Sequence, residues 1–278
     1  MKKEKELLVA IASQKGGVGK SNMSINLAIQ FRKMGKKVVI LDADFGLANI
    51  EIMFGAVPKH NLSDLIYQGK NIKDIITWGP MEVGFISGGS GITGLSNLSK
   101  DYLTYIVHNL AELDTIADVI IVDTGAGISD AVLEFLVASG EILLVTTPEP
   151  TSITDSYSLL KALNGHPGLE RDNTQICMIA NRVSTANEGE VLFQKLDVVV
   201  SRYLKLPITY LGAVPQDPLL AKAVMQQLPV SLQNPQARSA QAYEEIAAKL
   251  MKQDEGQNTQ KRGVAAFFSH IIGKRNNG

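Results

Sequence analysis

The chain has 278 residues, with 27 Lys and Arg against 28 Asp and Glu and a formal net charge of −1. Charge so nearly balanced excludes recruitment to nucleic acid by global attraction, so any membrane or DNA contact must come from a local patch. A 45% hydrophobic and 20% charged composition suits one large α/β domain or two small ones, and a single cysteine, Cys177, excludes an internal disulfide or an all-cysteine metal site.

The N-terminal stretch "MKKEKELLVAIASQKGG" begins like a signal peptide. Its apolar run is short and leads straight into a glycine loop, so it reads as the first strand of a cytoplasmic protein. No stretch of 18 or more apolar residues follows anywhere, so no membrane-spanning helix is predicted.

The loop "SQKGGVGKSN", residues 13–22, nearly fits the phosphate-loop pattern G-x-x-x-x-G-K-[ST]. Gly19, Lys20 and Ser21 match its end, but Gln14 stands where the first glycine belongs, and Lys15 is a lysine that an ordinary phosphate loop does not need. A strand, a glycine loop and a helix in that order make an anion site, because loop N–H groups converge on phosphate oxygens at a helix N-terminus. Gly16, Gly17, Val18, Gly19, Lys20, Ser21 and Asn22 are the expected phosphate-binding residues. Lys20 would bridge the β- and γ-phosphates, and the Ser21 hydroxyl would bind Mg²⁺.

The helix "SNMSINLAIQFRKMG" comes next, with Gly35 placed to stop it. The strand "KVVILDAD" then carries Asp42 and Asp44 to its end. Spacing i, i+2 puts them on one side if the strand stays extended, one to steady the metal shell and one to orient water. "ITWGP", with Trp78, reads as a surface turn, and "VGFISGG" as a strand. "DYLTYIVHNLAEL" reads as a helix, and "DVIIVDTGAG" as a strand that delivers Asp123 to hold Mg²⁺ through its water shell. The Gly125–Gly127 stretch behind it is a candidate γ-phosphate sensor.

Helix "SDAVLEFLVASG" and strand "EILLVTTP" follow, then "PEPTSITDS", a helix start with Thr151 or Ser152 as cap and Asp155 behind it. "QICMIANRV" reads as a strand that buries Cys177, "EGEVLFQKLDVVVSRYL" as a helix, "ITYLGAVP" as a strand and "SAQAYEEIAAKLMK" as a helix. The apolar runs are continuous rather than alternating, as in strands buried on both faces. The expected fold is therefore α/β, a mostly parallel twisted sheet with helices on both faces. The four histidines, His60, His108, His166 and His270, show no metal spacing.

The chain divides into a phosphate-loop domain at 1–252, a polar linker at 253–260 and a terminal segment at 261–275, "KRGVAAFFSHIIGKR". Val264, Phe267, Phe268, Ile271 and Ile272 fall on one helical face, flanked by Lys261, Arg262, Lys274 and Arg275. That pattern predicts a short amphipathic helix lying on an anionic membrane surface.

"KGGVGKS", "LDADFG", "VDTGAG", "ANRV" and "VPQD", in that order, resemble the deviant Walker A family, the MinD/ParA class of dimerising ATPases. The resemblance covers residues 7 to roughly 250. It implies a Mg²⁺-dependent ATPase that binds ATP or ADP, is slow without an activator, and forms an ATP-dependent homodimer. In that family the extra lysine, here Lys15, reaches across the dimer interface to the partner's phosphates. The resemblance gives Asp44 the water-positioning role, with a water-mediated hold on the metal, Asp42 a supporting role and Asp123 the metal shell. Asn181 and Arg182 of "ANRV", with Pro215 and Asp217 of "VPQD", become the adenine site, and Glu149 lies on the dimer face.

"LDADFGLANIEIMFG", "NLSDLI", "DTGAGIS" and "TTPEPTSITDSYSLLKAL" resemble the flagellar subgroup, the FlhG (FleN, YlxH) proteins. This implies regulation of flagellar number or placement, with the GTPase FlhF and rotor-switch proteins as partners. It also implies a cytoplasmic protein that is peripheral on the inner face of the membrane when ATP-bound. Many of these proteins carry an N-terminal D-Q-A-x-x-L-R segment that stimulates FlhF; only "MKKEKE" precedes the first strand here. The competing readings are a ParA-type DNA-segregation ATPase, a division-site MinD, an iron–sulfur carrier and a small-molecule synthetase. Near-neutral charge weighs against the first, so no specific nucleic acid is expected, and a lone strand cysteine weighs against the carrier.

Overall fold

The computed structural model describes residues 7–45, 49–89, 105, 106, 108, 109 and 111–256. A single eight-stranded sheet has the order β3-β4-β2-β5-β1-β6-β7-β8. Its strands are β1 (Leu7–Ala12), β2 (Val38–Ala43), β3 (Thr77–Trp78), β4 (Gly84–Ile86), β5 (Val119–Thr124), β6 (Glu141–Thr146), β7 (Gln175–Val183) and β8 (Thr209–Pro215). Every pairing is parallel except β3 with β4.

The seven apolar runs are all strands, and the reason is visible in β1. Leu8, Ala10 and Ala12 face one core while Leu7, Val9 and Ile11 face the other, so both sides must be apolar. One face is covered by α3 (Leu62–Gln68), α4 (Asp130–Ala138), α5 (Pro150–Asn164) and α6 (Ala186–Tyr203). The other is covered by α1 (Lys20–Lys33), α2 (Ile50–Phe54) and α9 (Arg238–Gly256), with α7 (Pro218–Met225) and α8 (Val230–Gln233) beside them. β1 lies between β5 and β6, so the crevice beyond its carboxyl end is where the chain's crossovers diverge.

One polar seam fastens α1 to the last third of the chain. The Ser231 amide donates to Asn26 Oδ1 (3.0 Å), Gln30 Nε2 donates to Ser231 Oγ (3.2 Å) and Lys33 Nζ donates to the Ser231 carbonyl (2.7 Å). Gln30 Nε2 also reaches the Ala240 carbonyl of α9 at 3.2 Å. Asn26, Gln30 and Ser231 are all buried, so these bonds satisfy groups that have no water to turn to.

Some sequence expectations need correction. "ITWGP" is not only a turn: Thr77 and Trp78 form an antiparallel edge strand, with Trp78 60% exposed. The α5 cap is neither Thr151 nor Ser152 but Glu149, followed by Pro150, whose missing N–H costs nothing at a first helical position. The Ser152 hydroxyl instead accepts from the Thr147 amide at 3.0 Å. α9 runs to Gly256, four residues into the stretch read as linker. The remaining linker, the segment 261–275 and much of "DYLTYIVHNLAEL" lie outside the described residues. Among the described residues no helix is long and apolar enough to cross a membrane.

Candidate functional site

The site is assembled at the carboxyl ends of β1, β2, β5, β7 and β8. After β1 the chain turns through Gly17 and Gly19, whose φ values of +75° and +103° a side-chain-bearing residue would resist. Gly19 is also the N-cap of α1 and lies so close to β7 that a Cβ there would stand 2.4 Å from Asn181 Nδ2. Asn181 in turn donates from Nδ2 to the Val18 carbonyl at 2.6 Å. The glycine loop and the end of β7 are thus in direct contact, and two residues that sequence order alone related are neighbours.

Lys20 is buried inside the loop, its Nζ 3.1 Å from Ser13 Oγ, which itself donates to the Lys15 carbonyl at 2.7 Å. Burial lowers the Lys20 pKa, while the carboxylates of Asp123 and Asp44 work to keep it charged. Asp123 is fully buried at the end of β5, and neither of its oxygens has a hydrogen-bond partner among the described residues. Burial pushes it up to about 6, against the nearby Ser21 and Ser24 hydroxyls and the Lys20 ammonium, which favour its charge without making full bonds to it. A buried carboxylate with both oxygens free, beside a buried lysine and the Ser21 hydroxyl, fits a hydrated Mg²⁺ and nucleotide phosphates. Those residues would hold the metal and the phosphates.

Asp42 and Asp44 do not form the aligned pair that i, i+2 spacing suggested. Asp42, buried on β2 in register with Asp123, accepts from the amides of Asp44 (3.1 Å), Asn49 (2.9 Å) and Ile50 (3.1 Å). Burial and the Asp123 carboxylate push Asp42 up to about 8, against those three bonds. β2 ends at Ala43, and through the Asn49 and Ile50 amides Asp42 is tied to the start of α2. Asp44 emerges on the open side: a Cβ on Gly125 would lie 3.5 Å from its Oδ1. The loops after β2 and β5 therefore meet at Asp44 and Gly125. The second loop is tied to β1 by Thr124 Oγ1 to the Ile11 carbonyl (2.8 Å) and by the Gly127 amide to the Ser13 carbonyl (3.2 Å).

Lys15 turns away from this cradle. Its Nζ makes an ion pair with Glu149 and a 3.2 Å hydrogen bond to Thr151 Oγ1, both at the start of α5. The hydrogen bond and the charge of Lys15 hold the Glu149 carboxyl below its usual range.

Of the residues expected at the base, Asn181 lies against the phosphate loop with Oδ1 buried and unpartnered, and Arg182 is exposed at φ +59°. Pro215 ends β8, in register with Val183. Asp217 has both its oxygens hydrogen-bonded, one to the Leu219 amide of α7 and the other to Ser239 of α9. Ser13 and Thr124 escaped the sequence reading, since small hydroxyl residues beside glycine loops carry no signal of their own, and Thr151 was read only as a helix cap. Val264, Phe267, Phe268, Ile271 and Ile272 lie outside the described residues.

Comparison with known proteins fits this geometry. The ParA family model, described as "NUBPL iron-transfer P-loop NTPase", matches residues 4–251. The antiactivator FleN of Pseudomonas aeruginosa is 37% identical over 87% of this chain and 85% of its own length. The flagellum site-determining protein YlxH of Helicobacter pylori is 34% identical over 95% and 89%. Among solved structures, the septum site-determining protein MinD of Pyrococcus horikoshii, complexed with Mg-ADP, superposes with a TM-score of 0.74. It shares 23% identity and is matched over 89% of this chain and 97% of that one, a likeness of fold.

Proposed function

This chain belongs to the ParA family of P-loop NTPases, in the MinD-like branch with FleN and YlxH, and we propose that it is a nucleotide-dependent dimer switch of the flagellar kind. It is an ATPase that uses ATP, ADP and Mg²⁺. Mg²⁺ supplies charge neutralisation at the phosphates. Lys20 and the loop amides grip the phosphates, Ser21 and Asp123 hold the metal and its water shell, and Asp44 orients the attacking water.

The observation that carries the switch is the direction of Lys15. Two lysines share one loop, yet only Lys20 is turned into it; Lys15 stands 34% exposed at the rim, on Glu149. A cation held outside its own cradle is placed to serve a cradle in a second copy, where it stabilises charge in trans as an arginine finger does. ATP then becomes part of the interface, and assembly reports on nucleotide.

The direct test is size-exclusion chromatography with ATP in an Asp44→Ala background, which slows hydrolysis. Lys15→Ala should bind ATP and remain a monomer. A Lys15→Ala protein that still dimerises with ATP removes the trans role.

The flagellar reading rests on the relatives' own descriptions, an antiactivator and a flagellum site-determining protein. On that reading the dimer regulates flagellar number or placement, attaches to anionic membrane through 261–275, and engages FlhF and rotor-switch proteins. Pull-down from source cells with the Asp44→Ala chain tests this; recovery of neither partner class counts against it. Cluster carriage, which the family description raises, finds no support in Cys177, fully buried with its thiol pushed up to about 12 by burial and by Glu141.

A further inference from the structure

We infer that Asp217 governs base specificity by position rather than by contact: its carboxylate is a double helix cap that clips the loop after β8 to α9. This rests on the adenine reading of Asn181 and Pro215 above and deepens it.

The carboxylate serves two helix N-termini at once. Oδ1 accepts from the Leu219 amide (2.9 Å), near the start of α7, for which Asp217 is the N-cap. Oδ2 accepts from the Ser239 amide (3.0 Å) and the Ser239 hydroxyl (2.8 Å), one residue into α9. Each of these amides belongs to a first helical turn and has no partner within its own helix. Two positive helix ends thus converge on one negative group. Burial works against the charge on Asp217, but the bonds from Ser239 and Leu219 and the charge of Arg238 outweigh it and hold the carboxyl below its usual range. Beneath it Tyr243, fully buried on α9 with an unpartnered hydroxyl, adds floor rather than freedom.

The clip matters because of what it joins. Pro215 and Asp217 form one wall of the expected base site, and Asn181, bonded to Val18 of the phosphate loop, forms the other. Among the described residues the first wall makes no hydrogen bond to the phosphate loop, but it is joined to the second wall directly: β8 pairs with β7 at Val214 against Asn181 and at Pro215 against Val183, and the Gln216 amide donates to the Val183 carbonyl at 2.9 Å. Asp217, just beyond that ladder, is held from the other side by Ser239 on α9, whose neighbour Ala240 accepts from Gln30 on α1, the helix that opens at Lys20. These bonds, part-buried at Ser239 and buried at Ala240, hold the loop after β8 in place before a base arrives. A wall set in advance spares the ordering of a loop on binding, and a site built on hydrogen bonds rejects the wrong base only if its groups are held in place.

None of the phosphate-site residues touches the clip, since Lys20 and Ser21 come from α1, Ser13 from the loop after β1 and Asp123 from β5. The inference therefore separates two affinities that a general loss of structure would lower together.

The test compares Kd for Mg-ATP, Mg-GTP and Mg-tripolyphosphate in the wild type, Asp217→Ala, Asp217→Asn and Ser239→Ala. The wild type should prefer ATP to GTP. Asp217→Ala should lose about 10-fold in ATP affinity, the equivalent of one or two net hydrogen bonds, with tripolyphosphate unchanged and the ATP/GTP ratio reduced by the same factor. Asn is a good N-cap but cannot accept from both Leu219 and Ser239 with its one oxygen, so Asp217→Asn should keep α7 and still lose part of the ratio. Ser239→Ala, which removes one bond and leaves Asp217 in place, should show a smaller loss of the same kind; it carries the test if Asp217→Ala does not fold. An unchanged ATP/GTP ratio in every variant, or equal losses for ATP and tripolyphosphate, overturns the inference. A wild type that binds ATP and GTP alike overturns the adenine reading itself.

Discussion

Lys15 and Glu149 are 134 residues apart in the chain and joined by an ion pair at the rim of the phosphate loop, with Thr151 as a second acceptor. Both side chains are substantially exposed, so the pair contributes little to folding stability. Its importance lies in where it stands.

Glu149→Gln should therefore weaken ATP-dependent dimerisation while leaving the melting temperature and ATP binding by the monomer unmoved. Sedimentation velocity across a protein dilution series measures the first and thermal denaturation the second. The Glu149 pKa is depressed, so the pair is complete above the usual carboxylate range and is lost only as pH falls through that depressed value. Its contribution should be flat across about pH 6 to 8. A variant that melts lower and dimerises normally would make the contact structural only.

Asp44 and Asp42 should part company under mutation. Asp44→Ala keeps ATP and fold but loses hydrolysis, because it removes water orientation and no phosphate contact. Asp42→Ala strips three amides of their acceptor and should cost about 2–4 kcal/mol of stability, read in chemical denaturation. Wild-type turnover in Asp44→Ala sinks the first assignment; wild-type stability in Asp42→Ala sinks the second.

Gly19→Ala meets two obstacles, a φ of +103° and an Asn181 Nδ2 only 2.4 Å from the new Cβ. It should lose nucleotide binding and about 1–3 kcal/mol of stability. Adding Asn181→Ala removes the collision but not the backbone strain, so calorimetric stability should recover only in part. Full recovery would mean that the collision alone matters.

The segment 261–275 should bind anionic vesicles weakly in one copy and, once a dimer holds two, about 10²-fold more tightly. In co-sedimentation, wild type with ATP should pellet, while ADP protein, a chain ending at Gln260, and Phe267→Glu should stay in the supernatant. Equal pelleting of truncated and full-length chains removes the anchor. Pelleting that ignores nucleotide keeps the anchor and discards the switch.

What could be read from the sequence was whatever burial on two faces or a fixed spacing writes into it. Seven strands announced themselves as continuous apolar runs because helices cover both sides of the sheet. β3 did not, since two residues at a half-exposed edge carry no periodicity. That Lys20, Ser21 and Asp123 come together was legible because a phosphate loop sets their places at strand ends. Spacing alone did not say that Asp42, and not Asp44, would accept from the amides at the start of α2. Asp217 was singled out through the resemblance of "VPQD"; its bond to Ser239 could not be foreseen, because Ser239 lies 22 residues further on and no local pattern joins them. At the mouth of α5, "PTS" offered two plausible caps, and the structure spent the Ser152 hydroxyl on the Thr147 amide instead.

The seam on Ser231 has a consequence for the order in which the fold is completed. Asn26, Gln30 and Lys33 belong to the helix that presents the phosphate loop, yet all three are completed by a residue about 200 positions later. On a ribosome adding roughly 5–20 residues each second, those side chains wait about 10–40 s for their partner. During that interval α1 carries polar groups that its finished surroundings would bury, so the packing behind the phosphate loop is complete only after residue 231 has been made.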